Sequence, residues 1–493
     1  MGVENVEVVR QYIFDQGPNY TDSAYTLSER ELAESENMYW DGSLKTVQGA
    51  ARLVATEFGG TNQNIVGVNQ YVKSTGQSFF IAVSNQGKMQ YESGGSWTSI
   101  QTGLSTAAHT YWDWVTFSDT LIAASGNNAV KKWGGSGGLS NLGGSPPQSR
   151  FASIHAVDFV FLAGQTASPS QINYCDTAAI ETWPVGNALQ VGRNESGIIT
   201  GLQRFGDATA VFKEESVWLV SGNTPSDFVV NPTPSDVGCV APNSIVLTDL
   251  GIFFWSEGGP ALFNGYKTTL LSKRLRRILE EDVDWSNVLK INAAYYPFLK
   301  QIALSYPRAG QDHPDRMILL DLFRFGQDDR SATIFWPITV SGSSSMTTAK
   351  DSTGRRRIYF GHSNGFVTTY GSGTTFNGET IIPRARTRML SLGKPDTTLG
   401  VRSIDVRLSA SDAQLVVKHS ADGNDTFATH ALTPIALTNA GKDIKQLRLD
   451  GVTTSALATG NTHQLEFTTN STTGIDIKGY EIAFEQLGRR PLL

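Results

Sequence analysis

The segment whose residue types come nearest to a catalytic motif is Gly134-Gly135-Ser136-Gly137-Gly138, which has the Gly-x-Ser-x-Gly spacing of a nucleophile elbow. That motif works where a strand turns sharply into a helix and presents the serine to a histidine and an acid. The surroundings, WGGSGGLSNLGGSPP, offer no helix, so the stretch reads as a loop. It also lacks the lysine and the helix N-terminus of a phosphate cradle. The seven histidines, at 109, 155, 313, 362, 419, 430 and 463, have no paired spacing suited to a metal. Asp312, Asp315, Asp328 and Asp329 offer paired carboxylates for glycoside hydrolysis, but they flank the hairpin MILLDLFRFG and read as solvated turns. Asp422, Asn424 and Asp425 form a fragment of a calcium loop without its closing glutamate. Cys175 and Cys239 are too few for a disulfide framework and lack a zinc spacing, which leaves one bridge open. The expectation is a protein that is not an enzyme and has no cofactor or metal.

Two basic clusters remain. In SKRLRRILEEDVDW, residues 272–285, Leu275, Ile278 and Leu279 share one face of an expected helix with Ser272 as its cap. Lys273, Arg274, Arg276 and Arg277 crowd its positive end while Glu280, Glu281 and Asp282 follow, against the macrodipole. Either an acidic partner compensates or local pairs such as Arg277 with Glu281 do. Arg384, Arg386 and Arg388, spaced by two, project from one face of a strand and repel each other unless acids of the same domain or a partner meet them. These seven residues are the candidate partner interface.

The elements that carry these clusters follow from composition and order. Among 493 residues there are 49 Gly, 10 Trp, 15 Tyr and 24 Phe, with only 17% charged residues, which suits short strands joined by tight turns. Residues 6–14 read as a strand. Thr26-Leu27-Ser28-Glu29 reads as a capping box opening a helix to about Asn37, and Asp41-Gly42 turns into a second strand. From residue 79 to 370 an apolar strand, a Gly/Asn/Ser turn and a second strand recur seven times, with the starts spaced like propeller blades. Such hairpins have two apolar faces, and stacking around an axis buries both. After Gly371-Ser372-Gly373 regular alternating strands follow, among them AQLVVKHSA and HQLEFTTN. The expected fold is all-β: an N-terminal strand-helix segment (1–60) docked on the C-terminal part, a β-propeller of about seven blades (61–373) and a β-sandwich platform (374–493). A pair of β-sandwiches is the alternative.

A net charge of −6 disfavours recognition of a phosphate backbone. No apolar run approaches the length of a membrane span, the start has no signal-peptide pattern, and Val6 stands where a myristoylation signal wants Ser or Thr. The expectation is assembly in the cytoplasm without export or a membrane anchor.

GDATAVFKEESVWLVSG (206–222) and CVAPNSIVLTDLGIFFWSEGGPALFNGYKTTLLS (239–272) resemble the propeller region of tail nozzle proteins of short-tailed bacteriophages. ENMYWDGSLKTVQGAARL, from Glu36, is similar to the family's N-terminal stretch, although Gln48 stands before Gly49 where the family has a basic residue. The resemblance is one of pattern and order over most of the chain. It implies a virion protein that forms a ring, usually a homo-hexamer, below the portal and adaptor. The chain ends would make a platform around the DNA channel and the propeller would contact tail fibres or spikes. DNA would pass without sequence-specific binding, since six copies at −6 each give about −36. Two other classes stay open. One is a lectin-like or sialidase-like propeller, for which GGSWTSI is an incomplete repeat motif; the other is a receptor-binding tail protein.

Overall fold

In a computed structural model of the chain, the repeated hairpins form seven sheets in chain order, antiparallel but for one parallel contact, Phe376 with Ala50, in the seventh. The structure describes residues 6–60, 63–106, 111–192, 197–271, 274–324, 334–339, 342–391, 397–408, 414–424, 426–429, 435–436, 445–450, 459–469 and 474–489. Six sheets have four consecutive strands each and span residues 65–101, 113–141, 151–190, 199–232, 241–270 and 292–338. The seventh takes Ser345–Lys350, Arg356–Gly361 and Val367–Tyr370 from its own hairpin region, and Ala50–Arg52 pairs with Val367–Tyr370 as its fourth strand. The first strands of successive sheets lie side by side, and Ser345–Lys350 lies against Ile65–Val72, so the ring closes. This is the arrangement of a seven-bladed β-propeller.

The apolar runs explain the ring. Phe159–Ala163 and Gly251–Ser256 are buried at every position, because each sheet is covered on both faces by its neighbours, as near-continuous hydrophobic strands require. Each junction has its own cluster. Tyr71, Phe79 and Ile81 of the first sheet meet Trp112, Leu121 and Trp133 at the second. Between the fourth and fifth sheets the rings of Phe212 and Phe254 lie 5.0 Å apart.

Both ends of the chain meet in two further antiparallel sheets. One orders Met38–Trp40, Leu44–Thr46, Asp476–Arg489, Thr397–Leu408 and Lys445–Asp450, with Val6–Gln11 also paired to Asp476–Arg489. The other orders Leu32–Glu36, Arg384–Thr387, His463–Thr469, Gln414–Ala421 and Ala428–Thr429. Val406, Leu415, Phe467 and Ile482 share one core with Trp336 and Phe360 of the sixth and seventh propeller sheets. The hydrophobic core therefore runs from the two-sheet body into the ring.

Three expectations are corrected. No helix occupies 26–37: Leu32–Glu36 is a strand paired with Arg384–Thr387. Thr26 bonds back to the Ser23 carbonyl at 2.9 Å instead of capping a helix, and cross-strand charge pairing overrides local helix preference. The helix expected over 272–285 is reduced to Arg276–Glu281, with Leu275 in the cap position, followed by a 3-10 turn at Trp285–Lys290; Ser272 lies outside the described residues. The boundary at residue 60 also shifts, because the three strands from 345 to 370 need Ala50–Arg52 to complete their sheet. The Asp41-Gly42 turn forms as read, with Gly42 at φ +70° between Met38–Trp40 and Leu44–Thr46.

Candidate functional site

The arginine ladder is answered from within the chain. Arg384 and Arg386 stand on the strand Arg384–Thr387 between Leu32–Glu36 and His463–Thr469, so carboxylates flank them on both sides. Arg386 meets Glu34 at 2.8 Å and Glu466 at 2.7 Å. Arg384 pairs with Glu36 and lies 3.4 Å from Glu34, and Arg388 lies 3.5 Å from Glu29. Glu466 is 3% exposed and also takes Lys418 at 2.7 Å. Burial alone would raise its carboxyl, but hydrogen bonds from Lys418 and Arg386 hold it below its ordinary value. The ladder is thus a lattice fastening the N-terminal strand to the C-terminal sheet, so the acids that meet the three arginines include ones from this chain.

The second basic cluster divides. Arg274 is buried against Glu31 at 3.0 Å and donates to the Gln16 carbonyl. Arg276 and Arg277 are exposed and form pairs one helical turn apart with Glu280 and Glu281, at 2.8 and 2.9 Å. These pairs offset the unfavourable macrodipole locally. Lys273 lies outside the described residues. Of the seven candidates, Arg276 and Arg277 alone are exposed among those described.

The junction between the N-terminal strands and the ring is held by Asn37 and Gly49, which the sequence reading did not single out. Asn37 is buried at φ +55°. Its side-chain amide donates to Thr339 Oγ1 and the Ile382 carbonyl, both at 2.8 Å, and its oxygen accepts from the Thr339 amide at 2.8 Å. At Gly49 a Cβ would lie 2.4 Å from the Gly373 carbonyl oxygen, so only glycine fits. The signal for both was the stretch from Glu36, where an asparagine and a glycine bracket two short strands.

A cavity of about 660 Å³ lies on the propeller axis, walled by first strands of the first, second, fifth, sixth and seventh sheets. At one end Asp113, Asn243 and Asn292 stand near the starts of their strands; Lys350 and Arg356 stand at the other, beside the turn joining their strands. Asp113 accepts from the amides of Trp114 at 2.9 Å and Ala152 at 3.0 Å. Burial pushes its carboxyl up to about 7 against those two hydrogen bonds. Asn243 sits in a register shift between Ala241 and Val246, and such bulges re-aim side chains.

The other motif residues stand apart from this cavity. Gly134 to Gly138 form a bend after Lys131–Trp133, and Trp133 donates to the Gly137 carbonyl at 3.0 Å. Asp315 pairs with Arg308 at 2.7 Å. Asp422, at φ +53°, accepts from the Asn461 amide at 2.6 Å. His419 and His463 form a buried pair at 2.8 Å, and His155 and His362 are buried with hydroxyl and carbonyl partners. Cys175 and Cys239 are free and buried, so no bridge joins them. Asp328, Asp329, Asp425, His109 and His430 lie outside the described residues. Among the described residues no His/Cys/Asp/Glu group could hold a metal ion, and no helix is long and apolar enough to cross a membrane.

No protein-family model matches the chain, and no curated protein matches it. Among solved structures it is similar to BamB from Moraxella catarrhalis, at 11% identity over 69% of this chain and 94% of that one, with a TM-score of 0.39. It is also similar to the computationally designed Ika8 protein, at 11% identity over 65% of this chain and 99% of that one, with a TM-score of 0.38. Neither likeness carries a function over to this chain.

Proposed function

We propose that the chain is a structural virion protein, the tail nozzle of a short-tailed bacteriophage. It assembles as a homo-hexameric ring below the adaptor, conducts DNA during ejection and offers its propeller to tail fibres or spikes. One observation carries the reading: both ends of the chain build one two-sheet body, and the seven-sheet ring is inserted between them. In this reading the two-sheet body is a β-sandwich platform around the channel. The propeller is held at its sixth and seventh sheets and at the chain that leaves the fifth, and the remaining sheets are the surface assigned to partners in this reading. The half-buried arginine lattice around Glu466 keeps the platform rigid. Exposed Arg276 and Arg277 remain for protein contacts, and the negative balance repels passing DNA. Quantitative mass spectrometry of purified virions tests the reading. About six copies per particle, cofractionating with the tail, are expected on the cyclic assembly rule; absence from the particle overturns it.

A further inference from the structure

The acceptor-rich end of the axial cavity is a ligand site by its chemistry. Asn292 is 1% exposed; its amide nitrogen donates to the Lys290 and Ser343 carbonyls at 3.1 and 2.7 Å. Its Oδ1 and that of Asn243 are buried with no hydrogen-bond partner among the described residues. Unsatisfied buried acceptors are costly and rare. The Asp113 carboxyl lines the same cavity, receives two backbone amides and has no basic side chain paired with it among the described residues. Three acceptor groups thus border one space, where the buried Trp112 indole N–H is also without a partner among the described residues. Beside them the stacked rings of Trp112 and Trp114, 5.7 Å apart, pack over Gly67, where a Cβ would come within 3.3 Å of Trp112.

We propose that this end of the cavity binds an organic ammonium ion, whose N–H groups donate to Asp113, Asn243 and Asn292 while its carbon skeleton lies along Trp114. Charge, donors and an apolar stem together answer the carboxylate, the amide oxygens and the indole face. A neutral polyol supplies no charge, and an anion at this end would stand against the Asp113 carboxyl and the two amide oxygens. The basic residues at the opposite end favour a ligand that keeps its ammonium away from them. A volume of about 660 Å³ is ample for a small amine. The inference stands apart from the nozzle reading, since it rests on the propeller axis alone.

Isothermal titration calorimetry of the full chain with n-butylammonium chloride, and with 1-butanol as the uncharged counterpart, tests it. One saturable site per chain is expected for the amine, with 1-butanol about tenfold weaker or undetectable. Asp113→Asn should weaken the amine about tenfold, and Asn243→Ala, which leaves the Asp113 amide contacts intact, should weaken it about threefold. No saturable binding up to roughly 20 mM, equal binding of butanol, or unchanged affinity in the folded Asn243→Ala variant overturns the proposal. The last outcome applies even if Asp113→Asn does not fold.

Discussion

Arg274 and Glu31 meet in the protein interior at 3.0 Å, with side chains 11% and 8% exposed. Glu31 also accepts from the Ser28 amide at 2.8 Å and from Asn19 at 3.0 Å, so the N-terminal segment is knotted to the chain that leaves the fifth propeller sheet. Removing the arginine strands a buried carboxylate. Arg274→Ala should cost about 3 kcal/mol in urea denaturation, whereas Arg276→Ala and Arg277→Ala, in exposed pairs, should leave the urea midpoint almost unchanged. Equal effects would show that the cluster acts as one unit.

Glu466 faces Arg384, Arg386 and Lys418 while only 3% exposed. Glu466→Gln leaves three cations around a neutral group and should cost about 3 kcal/mol, more than the roughly 1 to 2 kcal/mol of Arg386→Ala, which leaves Lys418 in place. Its carboxyl is held below its ordinary value in the folded protein. This stabilisation is present above the unfolded pKa and lost as pH falls through the folded one. The Gln variant should lack that acid-side loss in denaturation curves measured across the carboxylate range.

Gly49 separates crowding from backbone strain when compared with Gly42. An alanine Cβ at 49 would sit 2.4 Å from the Gly373 carbonyl oxygen and 2.8 Å from that of Thr375, whereas at 42 nothing lies within 4 Å and only φ +70° opposes a side chain. Gly49→Ala should cost about 3 kcal/mol or more and Gly42→Ala about 1 kcal/mol. Thermal melts of the two variants check the order.

His362 is buried between the Gly342 carbonyl at 3.2 Å and Thr368 Oγ1 at 2.8 Å, and burial lowers its pKa to about 4. Between there and the unfolded value near 6.5 the unfolded chain binds the extra proton, so stability falls as pH falls, by about 1.4 kcal/mol per pH unit. Burial lowers His463 as well and adds to the slope in the same direction. Asp113, raised to about 7 by burial, works the other way, since its stabilisation is lost as pH rises through 7. His362→Asn should therefore flatten the acid-side slope and Asp113→Asn should steepen it. An unchanged slope in both would mean that other groups govern the acid transition.

The parts of the fold legible in the sequence were those set by near neighbours. Phe159–Ala163 and Gly251–Ser256 announce two-sided burial by their own composition, and Asp41-Gly42 announces its turn. Near neighbours make Leu32–Glu36 read as helix because its partner is distant: the Glu36 carboxylate meets Arg384, 348 residues away, and that pairing decides for strand. The spacing of Arg384, Arg386 and Arg388 disclosed a common face, while the acids that meet it come from two remote strands and, for Arg388, from the turn at Glu29. Asp113, Asn243 and Asn292 carry no shared motif. Ring closure alone gathers them around one cavity, so no local pattern could have marked them.

Electron microscopy of the purified chain, alone and mixed with its adaptor ring, tests the nozzle account most directly. Closed rings of about sixfold symmetry, with a central opening that admits a DNA duplex and propellers projecting at the rim, are the expected result. A monomer or a trimer that stays so in the presence of the adaptor would contradict it.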